Sequence, residues 1–344
     1  MSLPMICDPP VLEFPVRPGQ LTTPTSAARL AWGLLCCLLI AAIPGASVAA
    51  DRLRLAAGAS GNWDTCVPEV GQRAGIFARH GLELEILYTQ GGGETMQAVI
   101  SGSADIGIAV GTQAVMGAFA KGAPIRVLAA GTTGAGDLYW YVPAESPIRS
   151  FGDTGGRTAG FSTVGASTHV TLLALIRHFG TTTRAVATGA SAVTLTQVMS
   201  GQIDVGWASP PFGLQQLQEG RIRVLARGND APQMVSQTVR VHIVNGDALR
   251  RRADVIGRFR QAYRESYEFL YDDPRGVRVF SEYSHVPEVL AEQIRDTFMP
   301  RPVMAPDQVS GLDAVMADAV TFRTLSAPLS QAQLQELIKL DPHP

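Results

Sequence analysis

Apolar and polar positions alternate over Arg52–Ala57 and Leu82–Tyr88, and both stretches read as strands. Between them, Pro68–His80 places Val70, Ala74, Phe77 and Ala78 at helical spacing before Gly81 stops the turn. Gln90-Gly-Gly-Gly93 then leads into a short apolar helix, Met96 to Ile100, followed by a strand at 106–110, a helix over Gln113–Ala120 and a strand at 125–130. A second series begins with the aromatic strand Leu138–Val142 and a proline-rich connection, Pro143–Pro147. It continues with strand Thr158–Phe161, loop Ser162–Ser167, helix Thr168–Phe179, strand Ala185–Ala187, a helix over Val193–Met199 and strands at 205–208 and 222–226. Thr238–Asn245 is extended and suited to lead the chain back to the first series. From Ala248 to Ile338 the spacing is helical, punctuated by Pro274, Pro287, Pro300, Pro306 and Pro328. Strands alternating with helices of this length predict an α/β protein whose mostly parallel sheets are covered on both faces.

The two series share a motif. Ser101-Gly-Ser-Ala-Asp-Ile-Gly-Ile-Ala109 returns as Ser200-Gly-Gln-Ile-Asp-Val-Gly-Trp-Ala208, and Ile125-Arg-Val-Leu-Ala-Ala-Gly131 as Ile222-Arg-Val-Leu-Ala-Arg-Gly228. Two units are too few for a solenoid, so two related halves facing one another is the preferred arrangement. Gly102 and Gly201 sit where a helix should end, because glycine takes the left-handed conformation without a Cβ penalty. Asp105 and Asp204 then open short buried strands. The small residues beyond those strands (Gly111 and Thr112; Ser209) let a ligand approach backbone amides at the carboxyl ends of the sheet, where open α/β sheets bind. The plain alternative is that the motif glycines only make tight turns.

Composition narrows the class. The 344 residues carry 17% charged and 46% hydrophobic side chains and a formal net charge of -2, which gives no basic footprint for nucleic acid. Arg29, the apolar run Leu30–Ile43, the break at Pro44-Gly45 and small Ser47-Val-Ala49 have the order of a secretory signal. The run is shorter than the roughly 20 residues of a membrane span, and Cys36 and Cys37 lie inside it rather than after it, which argues against a lipid anchor. Residues 1–49 are therefore expected to be a signal peptide and the mature protein to be periplasmic. Removal of the leader takes Cys7, Cys36 and Cys37 with it and leaves Cys66 alone, without a disulfide partner. The six histidines lack metal-ligand spacing, and no Gly-x-Ser-x-Gly elbow or phosphate loop is present. No metal, no cofactor and no catalysis are expected.

Gly71-x-x-x-Gly-Ile-Phe-x-x-x-Gly81, Gln90-Gly-Gly-Gly-Glu-Thr-Met-Gln97, the first Ser-Gly-x-x-Asp-Ile-Gly and Lys121-Gly-Ala-Pro124 resemble the first lobe of the nitrate/sulfonate/taurine-type solute-binding proteins of ABC importers. Ser146-Pro-Ile-Arg-Ser-Phe-Gly-Asp153 with Gly156-Arg157 resembles that family's start of the second lobe, and Asp247–Pro274 its returning helices. The likeness covers nearly all of residues 52 to 300. Where the family carries Leu after the second-lobe Asp, this chain has Thr154 and Gly155. The resemblance implies a two-lobed periplasmic-binding-protein fold (type II), with ligand held in a cleft between the lobes. The expected boundaries are 50–142 for the first lobe, 143–240 for the second, and 241–344 for the return to the first lobe and the C-terminal helices. It further implies a monomer that hands a small, anionic solute, sulfonate-, nitrate- or taurine-like or an aromatic carboxylate, to an ABC permease in the inner membrane.

On that frame, strand ends and helix starts mark the ligand contacts. In the first lobe these are Ser60, Asn62 and Trp63 after the first strand, Gly111, Thr112 and Gln113 at a helix start, and Thr132 and Thr133 at a strand end. In the second they are Gly165, Ser167 and Thr168, then Ser191, and finally Trp207 and Ser209. Helix N-termini suit oxyanions such as sulfonate or carboxylate, at roughly 0.3–1 kcal/mol each. A micromolar ligand needs about 8 kcal/mol, so aromatic burial by Trp63 and Trp207 must contribute. Trp63 has a second reading as loop packing, and Ser167-Thr168 as a simple helix cap. Asp64 is the one charge nearby and suits an amine. Two rivals share the scaffold: a thiamine-pyrimidine-synthase-like enzyme, which needs iron ligands and a cysteine-rich stretch, and a periplasmic ligand sensor.

Overall fold

The computed structural model describes residues 50–340, so the signal peptide expected over 1–49 lies outside the described residues. The first lobe opens with β1 (Asp51–Gly58), the short helices α1 (Val67–Arg73) and α2 (Ile76–Arg79), and β2 (Leu82–Thr89). The single expected helix over Pro68–His80 is split at Gly75, whose φ of 72° lies in the left-handed region. Then come α3 (Gly92–Ile100), β3 (Ile106–Gly111), α4 (Thr112–Ala120) and β4 (Ile125–Thr133). The second lobe contains β5 (Tyr139–Pro143), β6 (Thr158–Phe161), α5 (Ser167–Phe179), β7 (Arg184–Ala187), α6 (Ser191–Met199), β8 (Gly206–Ala208), α7 (Leu214–Gln218) and β9 (Ile222–Arg227). β10 (Thr238–Asn245) returns to the first lobe, followed by α8 (Gly246–Arg251), α9 (Ala253–Asp272), α10 (Pro274–Ser284), α11 (Glu288–Gln293), α12 (Leu312–Thr321) and α13 (Gln331–Leu337).

The two sheets have one plan. In the first the order is β2-β1-β3-β10-β4, parallel except for β10. In the second, β7 pairs with β6, a bridge from Ala159 to Val205 joins β6 to the approach of β8, and β8-β5-β9 follow with β5 antiparallel. Each antiparallel strand thus arrives from the opposite lobe. Tyr139–Val142, expected to end the first lobe, therefore lie in the second sheet, and Thr238–Arg240 lie in the first.

Packing follows the strand patterns. Leu53, Leu55 and Ile108 face one core shared with α1, α2, α9 and α10, while Ala56, Val110 and Ile243 face another shared with α3, α4, α12 and α13. Trp140, Phe151, Phe161, Leu172 and Leu175 fill the second lobe. Tyr139, Trp140 and Tyr141 are all buried, and of the three Tyr141 also borders a cleft between α6, α7 and the α10–α11 turn.

The motif is a joint between strands. Gly102 and Gly201 take φ of 77° and 75° just past α3 and α6. Asp105 Oδ2 accepts the backbone N–H of Arg54 within β1 at 3.0 Å, and Asp204 Oδ2 accepts that of Thr158 at the start of β6 at 2.8 Å, so each motif aspartate anchors a neighbouring strand. A Cβ on Gly107 would stand 2.9 Å from Val99 and 3.0 Å from Ile243; one on Gly206 would stand 2.8 Å from Val198 and 2.5 Å from Tyr141. In each half, then, the motif glycine makes room for the preceding helix and for the strand arriving from the other lobe.

Candidate functional site

Strand ends and helix starts of both lobes converge on a small chamber between them. The first lobe lines it with Gly58, Ala59, Asn62, Asp64, Gln90 to Gly92 and Ala109. The second supplies Ser162, Ala166 to Thr168, Ala190, Trp207 and Ser209, and Arg240 lies between them on β10. The lobes meet at glycine. Gly93 N donates to Thr163 Oγ1 at 3.0 Å, and a Cβ on Gly111 would stand 2.5 Å from Gly165 O. These approaches bring the two lobes together along the edge of the chamber.

A buried charge cluster spans the closure. Arg240 Nε donates to Ser167 Oγ at 2.8 Å and lies 3.5 Å from Asp64 Oδ2. Its Nη1 is 3.0 Å from Asp137 Oδ2, close enough for the charges to pair but off the line a hydrogen bond requires. Ser209 Oγ donates to the same Asp137 oxygen at 2.9 Å. All three charged side chains are under 10% exposed. Burial raises the Asp64 carboxyl to about 6, with Asp137 adding to the rise and the Arg240 charge opposing it. For Arg240, burial works against the charge, but the two carboxylates outweigh it and the guanidinium is held above its usual range. Asp137 precedes the strand crossing into the second lobe and Arg240 sits on the one crossing back, so the pair ties the two connections together.

Neutral groups complete the walls. Thr168 Oγ1 accepts Ser162 N at 3.0 Å, pinning the loop before α5. Trp207 Nε1 donates to Thr188 Oγ1 at 3.2 Å, which fixes its ring on the chamber wall. Ala109 adopts φ of 56°, an unfavourable region for alanine. Its N–H goes to His242 Nδ1 at 3.0 Å, where the β3–β10 register slips, and His242 Nε2 pairs with the Tyr263 hydroxyl at 2.6 Å. Since Nδ1 accepts, the proton is on Nε2, and burial lowers the His242 pKa to about 3, keeping it neutral.

The fourteen residues expected at the site are distributed unevenly. Asn62, Ser167, Thr168, Trp207 and Ser209 line the chamber. Gly111, Thr112 and Gln113 line an adjoining cavity of about 240 Å³ with Ser167; there both amide atoms of Gln113 lack a protein partner. Ser191 faces a wider cleft of about 1190 Å³ between α6, α7 and the α10–α11 turn. Gly165 contributes its carbonyl to lobe closure rather than to a wall. Thr132 and Thr133 face β10, with Thr133 Oγ1 2.8 Å from Thr238 Oγ1. The Ser60 hydroxyl bonds Tyr283 at 3.3 Å, outside the chamber. Trp63 is corrected to the core: its ring is 4.4 Å from Phe280 and its Nε1 donates to Tyr271 at 3.0 Å, because the aromatic faces of α9 and α10 lie beneath that loop.

A model described as NMT1/THI5 like matches residues 69–277. The chain belongs to the NMT1/THI5-like family. No match was found among curated protein sequences. In fold, this family member is similar to the alkanesulfonate-binding protein SsuA from Xanthomonas axonopodis pv. citri bound to MOPS (TM-score 0.70, 17% identity, covering 84% of this chain and 98% of that one). It is similar too to the nitrate-binding protein NrtA from Synechocystis PCC 6803 (0.63, 13%, 84% and 86%). The desulfurization enzyme DSZB shares the fold as well (0.60, 17%, 85% and 97%).

Asp137, Arg240 and His242 were not among the expected site residues of this NMT1/THI5-like chain. The available signal was a lone arginine and a lone histidine within Thr-Val-Arg-Val-His-Ile-Val-Asn, a strand whose eight residues are all buried. A charged side chain in such a strand needs a partner. Among the described residues no group of three His, Cys, Asp or Glu is placed to hold a metal, and no helix is long and apolar enough to cross a membrane.

Proposed function

We propose that the mature chain is a periplasmic solute-binding protein that captures a small solute in the interlobe chamber and presents the closed form to an ABC permease. One observation carries the reading: the chamber is walled by both lobes, and Asn62 Oδ1 and Asp64 Oδ1 on its wall are buried without a protein partner. Buried polar atoms without partners are costly, and a bound solute that supplies them favours the closed form. It does so only by its differential affinity for closed over open lobes. Catalysis has less support. Cys66 is wholly buried in the first-lobe core and does not itself line the chamber, and burial together with the nearby Asp64 charge pushes its thiol well above its usual range, the opposite of an activated nucleophile.

The test is a thermal-shift screen of the purified protein with nitrate, taurine, alkyl and aromatic sulfonates, aromatic carboxylates and organic amines. A ligand at a hundredfold excess over Kd adds about 2.7 kcal/mol, several degrees in Tm for a protein of this size. Mass spectrometry of the unfolded, extracted protein covers a solute retained through purification. A flat screen with no co-extracted molecule would sink the reading.

A further inference from the structure

We propose that the chamber selects solutes that bring a cationic, hydrogen-bond-donating group, an ammonium, amidinium or guanidinium, to Asp64 and Asn62. The inference rests on the binding reading above and names the chemistry of its ligand.

The balance of charge carries it. The chamber wall holds one guanidinium, Arg240, and that group is engaged from three sides by Asp64, Asp137 and Ser167. Two buried carboxylates therefore face a single buried cation, and the excess negative charge sits on side chains largely removed from water. Asp64 Oδ1 and Asn62 Oδ1 find no partner among the described residues, and both side chains are over nine-tenths buried; the unbonded donor of the cluster, Arg240 Nη1, is held 3.0 Å from the Asp137 carboxylate. A carboxylate and an amide oxygen side by side accept N–H groups and repel an anion. The start of α5 offers backbone amides from the opposite wall, but these are partial charges, whereas Asp64 carries a whole one. A sulfonate or nitrate placed here would meet Asp64 with no free cation to answer it. A donor cation would pair with Asp64, satisfy Asn62 and leave the Arg240 network intact.

The test is isothermal titration of the mature protein at fixed ionic strength with n-butylammonium, benzamidinium and agmatine against methanesulfonate, benzoate and nitrate. The expected result is binding of a cationic probe, weakened at least tenfold in Asp64→Asn and several-fold in Asn62→Ala, with no heat from the anions. Asn62→Ala removes no charge from the ion-pair network, so it and the wild-type contrast of cations with anions decide the matter if Asp64→Asn fails to fold. Binding of an anion with silent cations overturns the inference while leaving the solute-binding function standing. Cation binding of equal strength in both variants overturns the assignment to Asp64 and Asn62. Silence from both classes counts against the inference and the binding reading together.

Discussion

The two halves of this molecule share a skeleton and differ at its tips. In the first, the Thr89 and Thr95 hydroxyls meet at 2.8 Å; in the second, those of Thr188 and Thr194 meet at 2.7 Å, at the same offset along the chain as Asp105 and Asp204 or Gly107 and Gly206. These repeated residues anchor neighbouring strands, close the turn before each motif helix and seat the incoming strand. Past the strand ends the likeness stops. The first half carries a loop with Asn62 and Asp64, and the second a helix start with Ser167 and Thr168. Even the strands exchanged between lobes differ: one is preceded by Asp137, the other bears Arg240. A symmetric frame thus brings acceptors from one side and hydroxyl and amide donors from the other, and the ion pair holds the two connections in register.

The largest predicted effect comes from cutting that tie. Arg240→Met leaves Asp64 and Asp137 buried without their cation, and removing one partner of a buried ion pair costs about 3–5 kcal/mol. Urea denaturation should show this as a lower midpoint with an unchanged slope. A loss under about 1 kcal/mol would mean that the halves are held by their cores alone.

The next test asks whether the skeleton is equivalent in both halves. Gly107→Ala and Gly206→Ala each force a methyl against a valine and a crossing-strand side chain. Overpacking of this kind costs about 1–3 kcal/mol, and similar losses from the two variants are expected by thermal unfolding. A large cost in one and none in the other would break the equivalence.

The skeleton was legible in the sequence because its devices are local: a glycine past a helix, an aspartate opening a strand, and the same spacing twice. The tips were legible only where a side chain acts near its own turn, as with Ser167 and Thr168 at a helix start. Arg240 and Asp137 find each other across about a hundred residues, and which strand crosses to which sheet decides their pairing. Trp63 was ambiguous for the same reason: whether a loop tryptophan meets ligand or core depends on where the C-terminal helices α9 and α10 return. His242 escaped notice because its role, accepting the Ala109 N–H, needs a register slip that no local pattern announces.

Closure itself can be separated from the chemistry of the walls. Gly111 has φ of -59°, so a side chain is tolerated by its own backbone, but a Cβ there meets Gly165 O. Gly111→Val should hold the lobes apart with little change in unfolding midpoint, weakening solute binding at least tenfold. Small-angle scattering should show a larger radius of gyration that no longer contracts with ligand. An unchanged radius and affinity would place the closing contact elsewhere.

The smallest effect separates the carboxylate of the first half from the hydroxyls of the second. Asp64 is raised from 3.8 to about 6 in the folded protein, chiefly by burial. It faces Arg240, Asp137, Asn62, Cys66 and Tyr263. A folded pKa above the unfolded one means that the folded state binds the extra proton, so this contribution to stability is present below pH 3.8 and is lost as pH rises towards 6. The contribution of Asp64 to the unliganded protein should therefore fall across that window, against the opposite trend from carboxylates held low such as Asp204 and Glu265. A cationic solute, which needs the ionised Asp64, should by contrast bind a few-fold more tightly. Tm measured with and without benzamidinium from acid to neutral pH should show the two curves separating as pH rises, and Asp64→Asn should remove the separation. Parallel curves in the wild type would mean that Asp64 keeps its proton in the bound state, and that the first half reads its ligand as a neutral donor and acceptor.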